Sequence, residues 1–153
     1  MVRVWNIPQD RVEACYQTPD LVTALSCSAE THLVIAGLRQ GLCIVYEASV
    51  DVKLKFLSQV YCKNRKGRKA KGRKVTGVEF MDETQFLVTT NDSRARLMNL
   101  QDFSMVQKYK GCKNEQAPIK ATFSHNFSHV ICGSDTGSVY LWNLHSSRVS
   151  RLE

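Results

Sequence analysis

The chain has 153 residues, of which 43% are hydrophobic and 23% are charged, and its formal net charge is +7. This composition is that of a folded domain with its own core, and it excludes a disordered chain. The sequence has no apolar run of the length, about eighteen residues, that a membrane-spanning helix needs, and polar residues interrupt the N-terminal segment where a signal peptide would be apolar. We therefore expect a cytoplasmic or nuclear location.

The predicted elements are all short β-strands. β-branched residues alternate with polar ones between clusters of Gly, Asn, Asp and Ser, and no segment has a long helical period. In chain order the strands are predicted at 2–7, 11–17, 22–27, 32–36, 42–47, 53–61, 75–80, 85–90, 94–99, 103–109, 119–123, 129–133, 138–143 and 148–152. This pattern predicts an all-β fold.

Four of these strands have a large residue near their C-terminal end, and these residues recur at similar intervals. The large residues are Trp5, Tyr46, Met98 and Trp142, which are 41, 52 and 44 positions apart. A period of about 40–45 residues that ends in a Trp-Asp-like pair is typical of the four-stranded blade of a WD-repeat propeller. We predict an incomplete WD-repeat β-propeller of about three and a half blades. Its units are a half blade at 1–18, blades at 19–62, 75–110 and 111–153, and a basic inter-blade loop at 63–74.

An open propeller leaves strand edges and sheet faces uncovered, because propellers close with about four to eight blades. We expect the chain to be the C-terminal part of a longer propeller or a truncated product. The remainder of the propeller, or another chain, would then cover the open edges. In isolation the chain is predicted to be poorly soluble or oligomeric.

The part from Lys63 to Asn143 resembles one family of WD-repeat proteins. Matching segments lie at 73–78, 87–94, 108–111 and 119–125, and Asn91-Asp92-Ser93-Arg94 is the most specific of them. These segments are similar to the later blades of the WD-repeat-containing protein 44 (rabphilin-11-like) family. The resemblance implies a cytosolic and endosomal-membrane effector of a Rab-type small GTPase. It assigns GTPase binding to no residue here, because that region of the family lies ahead of the propeller.

The buried polar network typical of such blades is expected to be incomplete. In a well-formed blade an Asp six residues before the strand-closing Trp joins this network, which stabilises only when fully satisfied. Asp92 holds that position in the second full blade, but Met98 replaces the Trp. In the third, Trp142 is present and Thr136 replaces the Asp. We assign structural roles to Trp5, Asp92 and Trp142.

The positive charge of the chain comes from one segment between two predicted blades. Its eight basic residues are Lys63, Arg65, Lys66, Arg68, Lys69, Lys71, Arg73 and Lys74. Without them 13 basic residues face 14 acidic ones. In a WD propeller this loop shares a face with the turn 91–94. We therefore expect one anion- and partner-binding surface to which Arg94, Lys108 and Lys110 also contribute.

The partner of this surface is predicted to be an anionic membrane. Each Lys or Arg near such a surface contributes about 1 kcal/mol without any pocket. An acidic protein, nucleic acid or an import receptor, and a merely solvated insertion remain the alternatives. Nucleic acid is less favoured because no aromatic residues interleave with the charges for base stacking.

Candidate chemical sites are weak, and we expect no cofactor, no metal and no catalytic residue. The six cysteines have no close pair in the sequence and are expected to be buried small residues. The order Cys112, His125, His129 and Cys132 has half of a zinc-finger spacing but lacks the second Cys. Ser124, His125 and Asp135 could form a triad, but no nucleophile elbow accompanies them.

We therefore predict a non-enzymatic WD-repeat scaffold. It would bind protein partners, including a small-GTPase complex, and dock through its basic face on endosomal or secretory membranes in vesicle traffic. The alternative is a nuclear or RNA-associated scaffold whose basic loop binds nucleic acid or an import receptor.

Overall fold

The computed structural model describes residues 1–49, 51, 53–62 and 73–152. Within these residues every regular element is a β-strand, and none is a helix long and apolar enough to cross a membrane. The strands form four antiparallel sheets, one of two strands and three of four. In each sheet, strands that are consecutive in the chain are neighbours in space.

We call the sheets the half blade and the first, second and third blades. The half blade pairs β1 (Val2–Asn6) with β2 (Arg11–Tyr16). The first blade contains β3 (Val22–Ser28), β4 (Leu33–Leu38), β5 (Leu42–Ala48) and β6 (Leu54–Tyr61). The second contains β7 (Val75–Phe80), β8 (Gln85–Thr90), β9 (Arg94–Asn99) and β10 (Met105–Lys110). The third contains β11 (Ala121–Phe123), β12 (His129–Gly133), β13 (Val139–Asn143) and β14 (Val149–Leu152).

The predicted fold class is confirmed, and each strand begins and ends within two residues of its predicted bounds. The prediction began the last strand of the second blade at Phe103, but Phe103 has a φ of 56° and belongs to the preceding turn. The first strand of the third blade was predicted from Ile119, but its ladder begins at Ala121, paired with Cys132. The division of the chain into units at 18, 62, 74 and 110 stays a prediction.

Strand β5 shows how the blades pack, because both of its faces are buried. Cys43 and Val45 belong to the apolar core shared with the second blade. Leu42 and Ile44 belong to the core shared with the half blade, where Val2 contributes. Successive side chains of a strand point to opposite faces. The strand therefore reads as one continuous apolar run rather than as an alternating one.

The second and third blades pack around two aromatic side chains, Trp142 and Tyr109. Both are at most 1% exposed, and their ring centroids lie 5.9 Å apart. The Trp142 Nε1–H donates to the carbonyl of Lys110 at 2.8 Å, and the Tyr109 hydroxyl donates to the carbonyl of Leu144 at 2.7 Å. Burial raises the pKa of Tyr109 to about 12. Each ring therefore fills the interface with its polar atom satisfied.

Two strand glycines allow neighbouring blades to approach closely. A Cβ on Gly37 of β4 would lie 2.4 Å from Val75 Cγ1 of the next blade. A Cβ on Gly77 of β7 would lie 2.4 Å from Lys120 Cγ, just ahead of β11. Side chains at either position would push the inner strands apart.

Polar bonds also cross between blades near these inner strands. Thr23 Oγ1 donates to the carbonyl of Val75 at 2.6 Å, and the Ala121 amide donates to Thr89 Oγ1 at 2.9 Å. Glu79 of β7 pairs with Lys120 Nζ at 2.9 Å. The order of the blades is thus fixed by specific bonds as well as by apolar packing.

The two outermost sheets carry exposed apolar side chains. On the half blade Trp5 is 53% exposed and Ile7 is 88% exposed. On the third blade Val139 and Leu152 are 39% and 56% exposed. Among the described residues no further sheet covers these faces. The predicted poor solubility or oligomerisation of the isolated chain stays a prediction.

The two tryptophans should respond very differently to truncation. Trp142→Ala removes a buried ring and leaves a cavity between blades, so we expect it to lower the free energy of unfolding by about 3–5 kcal/mol. Trp5→Ala, at an exposed site, serves as the control and should cost less than about 1 kcal/mol. Urea unfolding monitored by circular dichroism measures both. Equal losses would contradict the assigned packing.

Candidate functional site

Most of the predicted basic loop lies outside the described residues. This applies to Lys63, Arg65, Lys66, Arg68, Lys69 and Lys71. Its end is described: Arg73 is exposed, and the carbonyl of Lys74 accepts a hydrogen bond from the Asn91 amide at 2.9 Å. The end of the basic segment therefore lies beside the β8–β9 turn.

Four cations lie on one face of the β9–β10 hairpin, and we call them the basic ladder. Arg94 is directly opposite Lys110, and Arg96 is directly opposite Lys108. Residues opposite each other in an antiparallel pair share a face, and like charges in such positions repel. The structure thus brings together the three predicted residues of this region and adds Arg96. The available signal for Arg96 was its place two residues before Met98, on the same strand face.

Asp92 partly neutralises the ladder from the β8–β9 turn. Arg96 Nη2 lies 2.6 Å from Asp92 Oδ2, and Arg94 Nη1 lies 3.6 Å from the same oxygen. Thr90 Oγ1 donates to Asp92 Oδ1 at 2.5 Å and accepts from Arg96 Nη1 at 2.5 Å. The Arg96 side chain is only 3% exposed. An arginine keeps its charge when buried, so this arrangement requires the carboxylate.

As expected, the network at Asp92 lacks the strand-closing Trp. The carboxylate is nevertheless bonded, to Thr90 and Arg96. Met98, which replaces that Trp, is 4% exposed and packs in the apolar core between the first and second blades. The residue of β9 that bonds Asp92 is thus Arg96, two positions before Met98.

Lys108 lies among three other cations and is partly buried. Partial burial lowers its pKa, and the positive charges of Arg96, Lys110 and Arg94 lower it further, against a smaller raising effect of Asp92. Among the described residues neither Lys108 nor Lys110 forms an ion pair. An added anion beside Lys108 would relieve this repulsion.

In the third blade, the Asp135 carboxylate bonds to the backbone of a surface loop and not to the core. Its carboxylate accepts hydrogen bonds from the amides of Glu115, Gln116 and Ala117 at 2.7, 3.0 and 3.2 Å. The bonds from Glu115 and Gln116 are the main reason why the pKa of Asp135 is lowered. Asp135 therefore holds the loop between β10 and β11 in place.

The cysteines differ from expectation in two ways. Cys43 and Cys62 are both buried, and their sulfur atoms are 3.8 Å apart, although 19 positions separate them in the chain. The hydrogen bond to Cys62 and burial of the pair raise the pKa of the Cys43 thiol, so it stays protonated at neutral pH. Cys15 and Cys27 are exposed, which contradicts the prediction that all six are buried.

Of the weak chemical candidates, the described part of the chain brings Cys112 and Cys132 into side-chain contact. There, no group of three or more His, Cys, Asp or Glu side chains is placed to hold a metal ion. Ser124 Oγ donates to Asn126 Oδ1 and accepts from the His129 amide. The Asp135 carboxylate accepts hydrogen bonds from the loop amides. The hydrogen bonds of Ser124 and Asp135 are therefore not those of a triad with His125.

The sheets, their meander order and their packing define a set of WD-repeat propeller blades. No family profile matches the chain. Comparison with curated proteins shows similarity to WD repeat-containing protein 44 of Xenopus laevis, with 42% identity over 93% of this chain. An uncharacterized WD repeat-containing protein of Schizosaccharomyces pombe is 24% identical over 94% of the chain. The 2-deoxy-glucose resistant protein 2 of Saccharomyces cerevisiae is 24% identical over 97% of it. The chain belongs to the WD-repeat proteins.

The similarity extends beyond the segment Lys63–Asn143 that suggested it, because it covers nearly the whole chain. The chain spans 16%, 25% and 20% of the lengths of these three relatives. WD-repeat proteins are in general scaffolds that bind protein partners, and the fold here is the one that such proteins use.

Removing the Asp135 charge should destabilise the protein only at higher pH. A carboxyl whose pKa is lowered by folding stabilises the folded state above the unfolded pKa of about 3.9 and loses this effect as the pH falls through the folded value. We therefore expect wild type to melt at a higher temperature than Asp135→Asn at pH 6, and the difference to shrink steadily as the pH is lowered below about 3.9. A difference that is independent of pH would contradict this role.

Proposed function

We propose that the chain is part of a WD-repeat scaffold that holds protein partners at anionic cytoplasmic membranes, in vesicle traffic linked to a Rab-type GTPase. The observation that carries the membrane part is the basic ladder beside the end of the basic segment. Four cations share one hairpin face, and the Asp92 carboxylate pairs with two of them. The trafficking part is supported by the similarity to WD repeat-containing protein 44.

The arrangement favours docking through long-range attraction. The carbonyl of Lys74 accepts a hydrogen bond from the Asn91 amide, so Lys74, at the end of the basic segment, lies at the same end of the second blade as Arg94. Anionic lipids attract each such cation with about 1 kcal/mol, and the attraction falls off within a Debye length. Binding would therefore be additive in the number of charges and sensitive to salt.

Neutralising three of these charges should release the protein from acidic vesicles. The variant Arg73→Gln, Lys74→Gln, Lys110→Gln leaves Lys108 of the basic ladder in place. At about 1 kcal/mol per charge, it should bind vesicles of phosphatidylcholine with a phosphatidylinositol phosphate about a hundredfold more weakly than wild type. Co-sedimentation at two salt concentrations measures this.

A matched control removes three positive charges at the ends of the blades opposite to the end that has the β8–β9 turn. Arg11, Lys53 and Arg148 lie in or beside the β1–β2, β5–β6 and β13–β14 connections and are exposed. Replacing them with Gln should change vesicle binding only slightly. Equal effects of the two variants would show that net charge alone acts. Preference for RNA of equal charge over vesicles would favour the nuclear alternative.

A further inference from the structure

A groove of about 680 Å³ runs along the outer rim between the first and second blades. One wall is the segment Ser58–Tyr61 of β6. The other side is formed by β9, β10 and the turn that joins them, and includes Arg96, Phe103, Met105 and Lys108. The groove thus joins the inner end of the basic ladder to the outermost strand of the neighbouring blade.

The β6 wall is an open strand edge. β6 is the last strand of the first blade and pairs only with β5 in the described chain. Four consecutive residues of β6 line the groove. A strand edge of this kind has backbone donors and acceptors that an extended peptide can match.

The opposite side of the groove carries two cations, Arg96 and Lys108, and one carboxylate, Asp102, so its excess charge is positive. Arg96 and Lys108 both line it and are directly opposite each other in the β9–β10 ladder. The Asp92 carboxylate is 2.6 Å from Arg96, whereas Lys108 forms no ion pair among the described residues. An acidic side chain placed beside Lys108 would gain an ion pair and reduce the cross-strand repulsion.

Apolar side chains border the charged part. Tyr61 is 57% exposed on the β6 side, and Met105 is 48% exposed on the β10 side. Phe103, which also lines the groove, is fixed by a turn with φ of 56°. Exposed aromatic and methionine side chains around a cleft are typical of peptide-binding surfaces.

From these three features we infer that the groove binds an extended peptide in which an acidic residue alternates with apolar ones. The peptide backbone would pair with β6, its carboxylate would contact Lys108, and its apolar side chains would pack on Tyr61 and Met105. A lipid headgroup would use the cations but not the strand edge or the apolar border. The inference rests on the proposed scaffold function and names the chemistry of one of its partners.

The test uses a fluorescein-labelled nine-residue peptide in which Glu alternates with Val. Fluorescence anisotropy should show saturable binding to the purified protein. The analogue with Gln in place of Glu should bind at least tenfold more weakly. An analogue with N-methyl groups on alternate residues should also lose binding in one of its two possible registers, because strand pairing needs those N–H groups.

Variants of the protein locate the site. Lys108→Gln should weaken binding at least tenfold, and Lys55→Gln, an exposed lysine of β6 away from the groove, should leave it unchanged. Circular dichroism melting checks that both variants are folded. Arg96 is not replaced, because it is part of the buried network.

Several results would overturn the inference. These are equal binding of the Glu and Gln peptides, tolerance of both N-methylated registers, or equal binding by Lys108→Gln and wild type. Displacement of the peptide by phosphatidylinositol phosphate vesicles, with a loss of vesicle binding in Lys108→Gln well above the roughly fivefold expected for one charge, would assign the groove to a headgroup instead. Peptide binding that persists while vesicle binding fails would remove the membrane proposal and leave this one standing.

Discussion

The buried guanidinium of Arg96 determines how the second blade is built. An arginine cannot lose its charge by deprotonation, and an unpaired charge in an apolar interface costs several kcal/mol. Asp92 and Thr90 offset that cost: Asp92 Oδ2 lies 2.6 Å from Arg96 Nη2, and Thr90 Oγ1 accepts from Arg96 Nη1 at 2.5 Å. The contact with Asp92 also holds the β8–β9 turn against β9. The β9–β10 register places Arg96 opposite Lys108. Arg96 therefore takes part both in the buried network of the blade and in the charge of the groove.

The second constraint on the sequence is that each interior sheet buries both of its faces. Each interior sheet contributes to two apolar cores, so its strands are apolar on both sides and its inner glycines leave room for the neighbour. The polar side chains in these interfaces are bonded through at least some of their atoms. Arg96 pairs with Asp92, and the amide nitrogen of the fully buried Asn114 donates to the carbonyl of Ile119 at 3.2 Å, whereas its Oδ1 has no partner in the described part of the chain. The scaffold is thus assembled from interfaces, and its grooves lie where those interfaces open to solvent.

Local patterns were sufficient to predict the strands and their grouping. Alternation and turn residues define β7, β8 and β9 to the residue, because the turns 81–84 and 91–93 are compact. The contacts that join distant positions were not predictable in this way. The proximity of Cys43 and Cys62 depends on the β5–β6 pairing, and Asn114 depends on a loop that inserts between blades. Of the predicted site, Arg94, Lys108 and Lys110 are brought together by the β9–β10 register, and Arg96 was missed because an Arg in an Arg-x-Arg sequence resembles a solvated strand face.

A double-mutant cycle between Asp92 and Arg96 tests the central claim most directly. The variants are Asp92→Asn, Arg96→Met and the two combined, and urea unfolding gives the free energy of each. Breaking one partner of a buried ion pair costs about 3–5 kcal/mol, because it leaves the other buried charge uncompensated. We predict that the double variant is about 2–3 kcal/mol more stable than the sum of the two single losses implies. Additive losses would show that the pair is not coupled, and would contradict the account of how this blade holds its charge.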